Sequence, residues 1–214
     1  MGYFMVHLAV AQRILRRSPG IGNHQAFLQG SLAPDALAFR PGSQRSDKSV
    51  SHFCVGDEGW GFYTNYAPWR QNLRRQVRRF AGQTNRDFLL GYYAHIATDI
   101  AYCECFWTPA RLTNDELHLQ TFASDCYEVD ACLMEGLYQR ETVWAQLRQP
   151  MDWELPGIVT VDDQERMLRA LTEEMYANRP VNARYEFRVV TPTAMESFID
   201  RVADALVNDD SAPI

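Results

Sequence analysis

The sequence predicts an all-α fold, a single-domain helical bundle, and three features predict it. Apolar residues recur at helical spacing in one segment after another. No stretch of useful length alternates apolar and polar residues, YEFRVV at 185–190 being the one weak strand candidate. Turn residues such as Ser18-Pro19-Gly20 and Pro156-Gly157 break the chain at helix-length intervals. Its 214 residues show no composition break, so one domain spans 1–214, with the segments of chemical interest in 1–135 and helices in 136–208 completing the bundle.

Residues 3–17 place Phe4, His7, Leu8, Ala11, Ile14 and Leu15 on one helical face, with Arg13, Arg16 and Arg17 at the end where cations suit the helix dipole. A short segment runs from His24 to Gly30. In SLAPDALAF, Pro34 disfavours helix at Ala33, which sets Asp35 at the end of a turn or in the first turn of a new helix. Residues 40–66 read as a long irregular loop carrying His52 and the aromatics Trp60, Phe62, Tyr63 and Tyr66, either a rim over a cleft or a flap of core. Pro68 opens a helix with Trp69, Leu73, Val77 and Phe80 at helical spacing, ending near Gly82.

Thr84 or Asn85 caps a central helix over 87–106, which runs towards Pro109 and is apolar nearly all round. Asn114 caps the next, carrying His118, Asp125, Glu128 and Asp130. A short helix reaches Gln149. Two amphipathic helices close the chain, 161–177 with Met167, Leu168, Leu171 and Met175 inward, and 193–207 with Phe198, Ile199, Val202 and Leu206 inward.

A net charge of -6 argues against general nucleic-acid binding, and Arg70, Arg74, Arg75, Arg78 and Arg79 read as a solvated helix face. Five cysteines, Cys54, Cys103, Cys105, Cys126 and Cys132, form no CxxC pair and read as reduced, mostly buried thiols. No apolar stretch approaches the ~18 residues that span a bilayer. The start MGYFMVHLAVAQRIL lacks a basic region and a cleavage site, so it reads as an internal helix, and the expectation is a soluble, cytoplasmic protein.

The chemistry is concentrated in histidines and aspartates. His95 and Asp99 stand at i and i+4 of the central helix, so both side chains reach one point off its axis. An imidazole and a carboxylate buried there need partners, either each other or a divalent cation. Of five histidines, His7, His52, His95 and His118 fall in segments that are buried or adjoin the core, alongside Asp35, Asp99, Asp125 and Asp130. Metal ions explain such a set better than several separately satisfied imidazoles.

MVHLAVAQRIL with His7, GSLAPDA with Asp35, SHF with His52 and GYYAHIATDI with His95 and Asp99 occur in that order. In these motifs, over residues 1–135, the chain resembles the zinc-dependent phospholipase C family, which is similar in fold to single-strand-specific zinc nucleases. The resemblance implies a helical bundle whose cleft holds one to three zinc ions, other divalent metals suiting the same donors. It implies hydrolysis of a phosphodiester or phosphomonoester, the substrate being a small-molecule or lipid phosphate ester.

Carried over by residue, Asp35, His52, His95 and Asp99 match the central metal set, with Asp99 bridging two ions and His7 holding a neighbouring one. Asp35 and Asp99 are the expected catalytic pair, Asp35 as ligand or as general base for the attacking water. The family's later His-x-x-x-Glu pair falls on Cys126 and Asp130 here, with His118 and Asp125 as further candidates, so His118 and Asp130 complete the expected ligand set. A terminal Trp that ligates zinc in secreted members has no counterpart. Two other readings stand beside this one: a metal-binding but inactive member of the fold, and a helical interaction module with structural histidines.

Overall fold

The computed structural model describes residues 3–55, 61–177 and 179–209. Among them the chain is all-α, and the sole sheet-like pairing is an isolated bridge between Leu155 and Val159. In order come α1 (Phe4–Arg17), α2 (His24–Gly30), α3 (Ala33–Ala36), α4 (Lys48–Ser51), α5 (Ala67–Phe80), α6 (Arg86–Tyr102), α7 (Thr108–Leu112), α8 (Glu116–Glu135), α9 (Arg140–Leu147), α10 (Val161–Arg169) and α11 (Pro192–Val207). Among the described residues no helix is long and apolar enough to cross a membrane.

Helix α6 is the centre. Asn85 caps it by accepting the N–H groups of Asp87 and Phe88, and α1, α2, α3, α5 and α11 pack around it. Its contact with α2 depends on glycines. A Cβ on Gly91 would lie 2.8 Å from Ser31 N and collide with the Phe27 carbonyl, while one on Gly30 would collide with the carbonyl of Phe88. This close approach brings the backbone just after α2 against the face of α6 that carries His95. Beyond Tyr102 the chain continues through a π-helical turn, Cys103–Trp107, into α7, where Pro109 sits at the start and its missing N–H costs little.

Several local expectations are corrected. Asp115, not Asn114, caps α8, accepting from His118 N–H, while Asn114 adopts a left-handed φ of 52° in the turn before it. The segment 185–190 is no strand. Asp125 collects the N–H groups of Arg188, Val189 and Val190 and the Tyr185 hydroxyl. Successive amides turned to one carboxylate cannot also point to alternate edges of a ladder. After Arg169 a π-helical turn, Ala170–Met175, adds to the helical repeat, and Met175 is exposed rather than inward.

The stretch 40–66 holds more regular structure than its composition suggests. Gln44 and Asp47 form a reciprocal capping box around the short 3-10 turn Arg45–Asp47, and this turn leads directly into α4. Tyr63 and Tyr66 are buried against Trp69, Phe62 is exposed beneath the Arg111 guanidinium, and Trp60 lies outside the described residues. Cys103 and Cys126 are buried, Cys54 and Cys132 half-buried, and Cys105 exposed, all as free thiols. On α1, Arg13 and Arg17 reach across to Glu196, Asp200 and Asp204 of α11, so the arginines join helices as well as suit the dipole.

Candidate metal centre

His7, Asp35, His52, His95 and Asp99 are all buried and converge on one point between α1, α3, α4 and α6. The α2–α6 contact orients His95. Its Nδ1 lies 2.8 Å from the Ser31 carbonyl, and since a carbonyl only accepts, Nδ1 carries the proton and Nε2 keeps its lone pair. His52 is set the same way, with Nδ1 3.0 Å from the Lys48 carbonyl one helical turn back.

The turn bearing His52 is held from three sides. Tyr92 OH donates to the Ser51 carbonyl at 2.6 Å, Trp69 Nε1 to the His52 carbonyl at 2.7 Å and Asn72 Nδ2 to the Phe53 carbonyl at 2.7 Å. Phe53 takes a left-handed φ of 55°, unusual for a bulky side chain, and its packing against Phe80 and Tyr92 offsets that strain. Helices α5 and α6 thereby direct the His52 ring at the cluster.

Asp99 stands at the middle. Its Oδ1 is 3.5 Å from His7 Nε2, and its Oδ2 is 3.4 Å from His52 Nε2 and 3.8 Å from His95 Nε2. Asp35 Oδ1 is 3.5 Å from His52 Nε2. Lone pair therefore faces carboxylate, an unfavourable meeting in a dry interior unless a cation lies between. For His95 a proton is disfavoured in that place, because burial, and His7 after it, push its pKa well below the ordinary imidazole value. Neither ring nitrogen of His7 nor His95 Nε2 makes a hydrogen bond of ordinary geometry.

The residues fit a metal ion. Tetrahedral zinc with bonds near 2.1 Å sets its ligand atoms about 3.4 Å apart, close to the separations observed. Two overlapping sets, His7, Asp35 and His95, and His52, His95 and Asp99, have ligand atoms within 4.8 Å of one another. Imidazole nitrogen with carboxylate oxygen is a donor combination suited to zinc and its neighbours in the first transition row.

Other candidates lie elsewhere. His118 is half-buried in the first turn of α8, where its N–H meets the Asp115 cap, and it belongs to neither set. Asp130 is buried, but it does not join the imidazoles. It accepts from Met5 N–H, the Tyr176 hydroxyl and Arg179, tying the start of α1 to the segment after α10. Asp125 serves the 185–190 segment.

Lys48 belongs to the cluster and was not expected there. Its ammonium is 2.6 Å from Asp35 Oδ1. Burial alone would raise the Asp35 pKa, but the Lys48 ammonium beside it outweighs burial and holds the carboxyl well below the usual range. The available signal was the i, i+4 spacing of Lys48 and His52, which only matters once KSVS is helical. Comparison with protein-family models, with curated proteins and with solved structures finds no match to this chain, so its chemistry is read from this geometry.

Proposed function

We propose that this protein is a metal-dependent hydrolase of phosphate esters, its centre formed by His7, Asp35, His52, His95 and Asp99 and suited to zinc. The observation that supports this reading most is the placement of Asp99, whose two oxygens face different imidazoles, His7 on one side and His52 with His95 on the other. A carboxylate so placed suits a bridge between two cations. Bound there, they would supply Lewis-acid stabilisation of the negative charge that develops on phosphoryl and leaving-group oxygens.

The chain's own part is positioning. Ser31 and Lys48 carbonyls hold two imidazoles in the ligand tautomer. Burial lowers the dielectric around the cluster and strengthens the charge interactions inside it. Asp35, kept ionised by Lys48, is better suited to ligation than to taking a proton near neutrality. The substrate class is a small-molecule or lipid phosphate ester. A cytoplasmic setting accords with the free thiols.

Elemental analysis of the purified protein, with turnover of bis-p-nitrophenyl phosphate and p-nitrophenyl phosphate, tests this. The expected result is co-purifying metal and hydrolysis that chelation abolishes and zinc restores. Metal without turnover of either ester leaves a metal-binding protein lacking the activity. A chain that neither carries nor takes up metal is a helical module with structural histidines.

A further inference from the structure

Building on that reading of the centre, we propose that Lys48 is a built-in competitor of the metal, neutralising Asp35 until a divalent cation takes the carboxylate and then swinging out to solvent. Three observations carry this. The Asp35 oxygen that meets the Lys48 ammonium at 2.6 Å is the one facing His52 Nε2 at 3.5 Å, so one oxygen is addressed both by the lysine and by a ligand imidazole. The Lys48 side chain keeps 24% of its exposure against 6% for Asp35, so its stem leads outward from a buried carboxylate. The Lys48 backbone is fixed, because its carbonyl accepts both the N–H and Nδ1–H of His52, at 2.9 Å and 3.0 Å. Only the side chain is able to move without disturbing His52.

The physical need for such a group follows from the charges. Asp35 and Asp99 are both buried at one cluster, and a buried carboxylate pair without a positive charge is costly. A divalent cation on the same carboxylate would repel an ammonium about 4 Å away. Lysine suits the exchange: a compact, strongly hydrated charge on a flexible stem, where a forked arginine would stay bound. The rival role is support, with Lys48 staying on Asp35 and orienting it for the metal.

Lys48→Met separates the two roles, since it removes the charge and keeps most of the stem. Zinc affinity is measured by competition with a chromophoric chelator, and melting with excess EDTA and with excess zinc. The expected result is zinc binding about tenfold tighter or more, with a lower melting temperature in EDTA and no loss of melting temperature in zinc. Lys48→Arg, which keeps the charge, is expected to bind zinc no tighter than the wild type. Should the Met variant not fold, Lys48→Gln decides by the same comparison. Unchanged or weaker zinc affinity on losing the ammonium overturns the competitor role alone, whereas a wild-type chain that takes up no zinc overturns the reading of the centre and this role with it.

Discussion

His7 of α1 and His95 of α6 lie stacked, ring centroids 3.7 Å apart and 9° from parallel. Two imidazolium ions would repel at that distance in a buried site, so the stack does not suit charge on both rings, and the neutral form is the one a metal takes. Replacing His95 by Ala removes one ligand nitrogen, leaves the Ser31 carbonyl without its donor and opens space beneath His7. We expect loss of at least one metal equivalent and a destabilisation of about 2–4 kcal/mol. Elemental analysis and urea unfolding check this, and full metal content with unchanged stability would take His95 out of the centre.

Asn72 holds the Phe53 carbonyl, next to His52, through its side-chain amide. In Asn72→Ala the turn keeps its donors from Trp69 and Tyr92 and loses one of the three. The expectation is a metal affinity lowered by about 10–100-fold, as for other groups that support a ligand from behind, with an unfolding free energy reduced by about 1–3 kcal/mol. A stability loss without any change in metal affinity would make Asn72 a structural residue only.

The central residues were legible because helical spacing is local. His95 and Asp99 share a face for any α6, and Asp35 falls in the first turn of a helix as Pro34 suggested, although Ala33 is itself helical despite preceding the proline. Long-range partners were not legible. Whether Asp130 meets an imidazole or the Met5 N–H depends on how α1, α8 and the segment after α10 pack, which no spacing within α8 encodes. Lys48 was hidden for a related reason. Its Gly- and Ser-rich surroundings resemble a loop, and the Gln44–Asp47 capping box that starts the helix has weak preferences of its own. The π-helical turn after Arg169 likewise lengthens the repeat, so Tyr176 and not Met175 is the inward residue after Leu171.

Gly91 is the residue on which the α2–α6 contact turns. In Gly91→Ala the new methyl meets Phe27 and Ser31 backbone atoms that cannot move without moving α2. The cost of such overpacking is about 1–3 kcal/mol or more, and displacement of Ser31 also turns His95. Thermal melting and zinc affinity are both expected to fall. Melting at the wild-type temperature would mean that α2 can shift freely.

Asp130→Asn tests the assignment of that carboxylate away from the metal. Its partners are all donors, Met5 N–H, Tyr176 OH and Arg179, so an amide there loses the charge paired with Arg179 and turns an NH2 group towards donors. Metal stoichiometry is expected to stay at the wild-type value while stability falls by about 2–4 kcal/mol. Loss of one metal equivalent with stability intact would instead return Asp130 to the ligand set.

Asp125 gives the fold an acid-sensitive clasp. Burial alone would raise its pKa, but the N–H groups of Val190, Val189 and Arg188 and the Tyr185 hydroxyl outweigh it and hold the carboxyl below its ordinary value of 3.8. A folded-state pKa lower than the unfolded one, about 3.9, contributes stability that is fully present above that value and is lost as pH falls through the folded-state pKa. The segment 185–190 is therefore expected to come off α8 in acid, below about pH 4, and to stay bound near neutrality. Asn at this position keeps the shape but not the charge that gathers consecutive amides. Asp125→Asn is expected to be less stable than the wild type by about 1–3 kcal/mol at neutral pH, and the gap is expected to narrow as pH drops because the wild type then loses its charge as well. Urea unfolding of both chains at a series of pH values, followed by the exchange rates of the Val189 and Val190 amides, measures the gap and locates it. A difference that stays constant from neutral pH into the acid range would mean that the carboxylate charge is not what holds the segment.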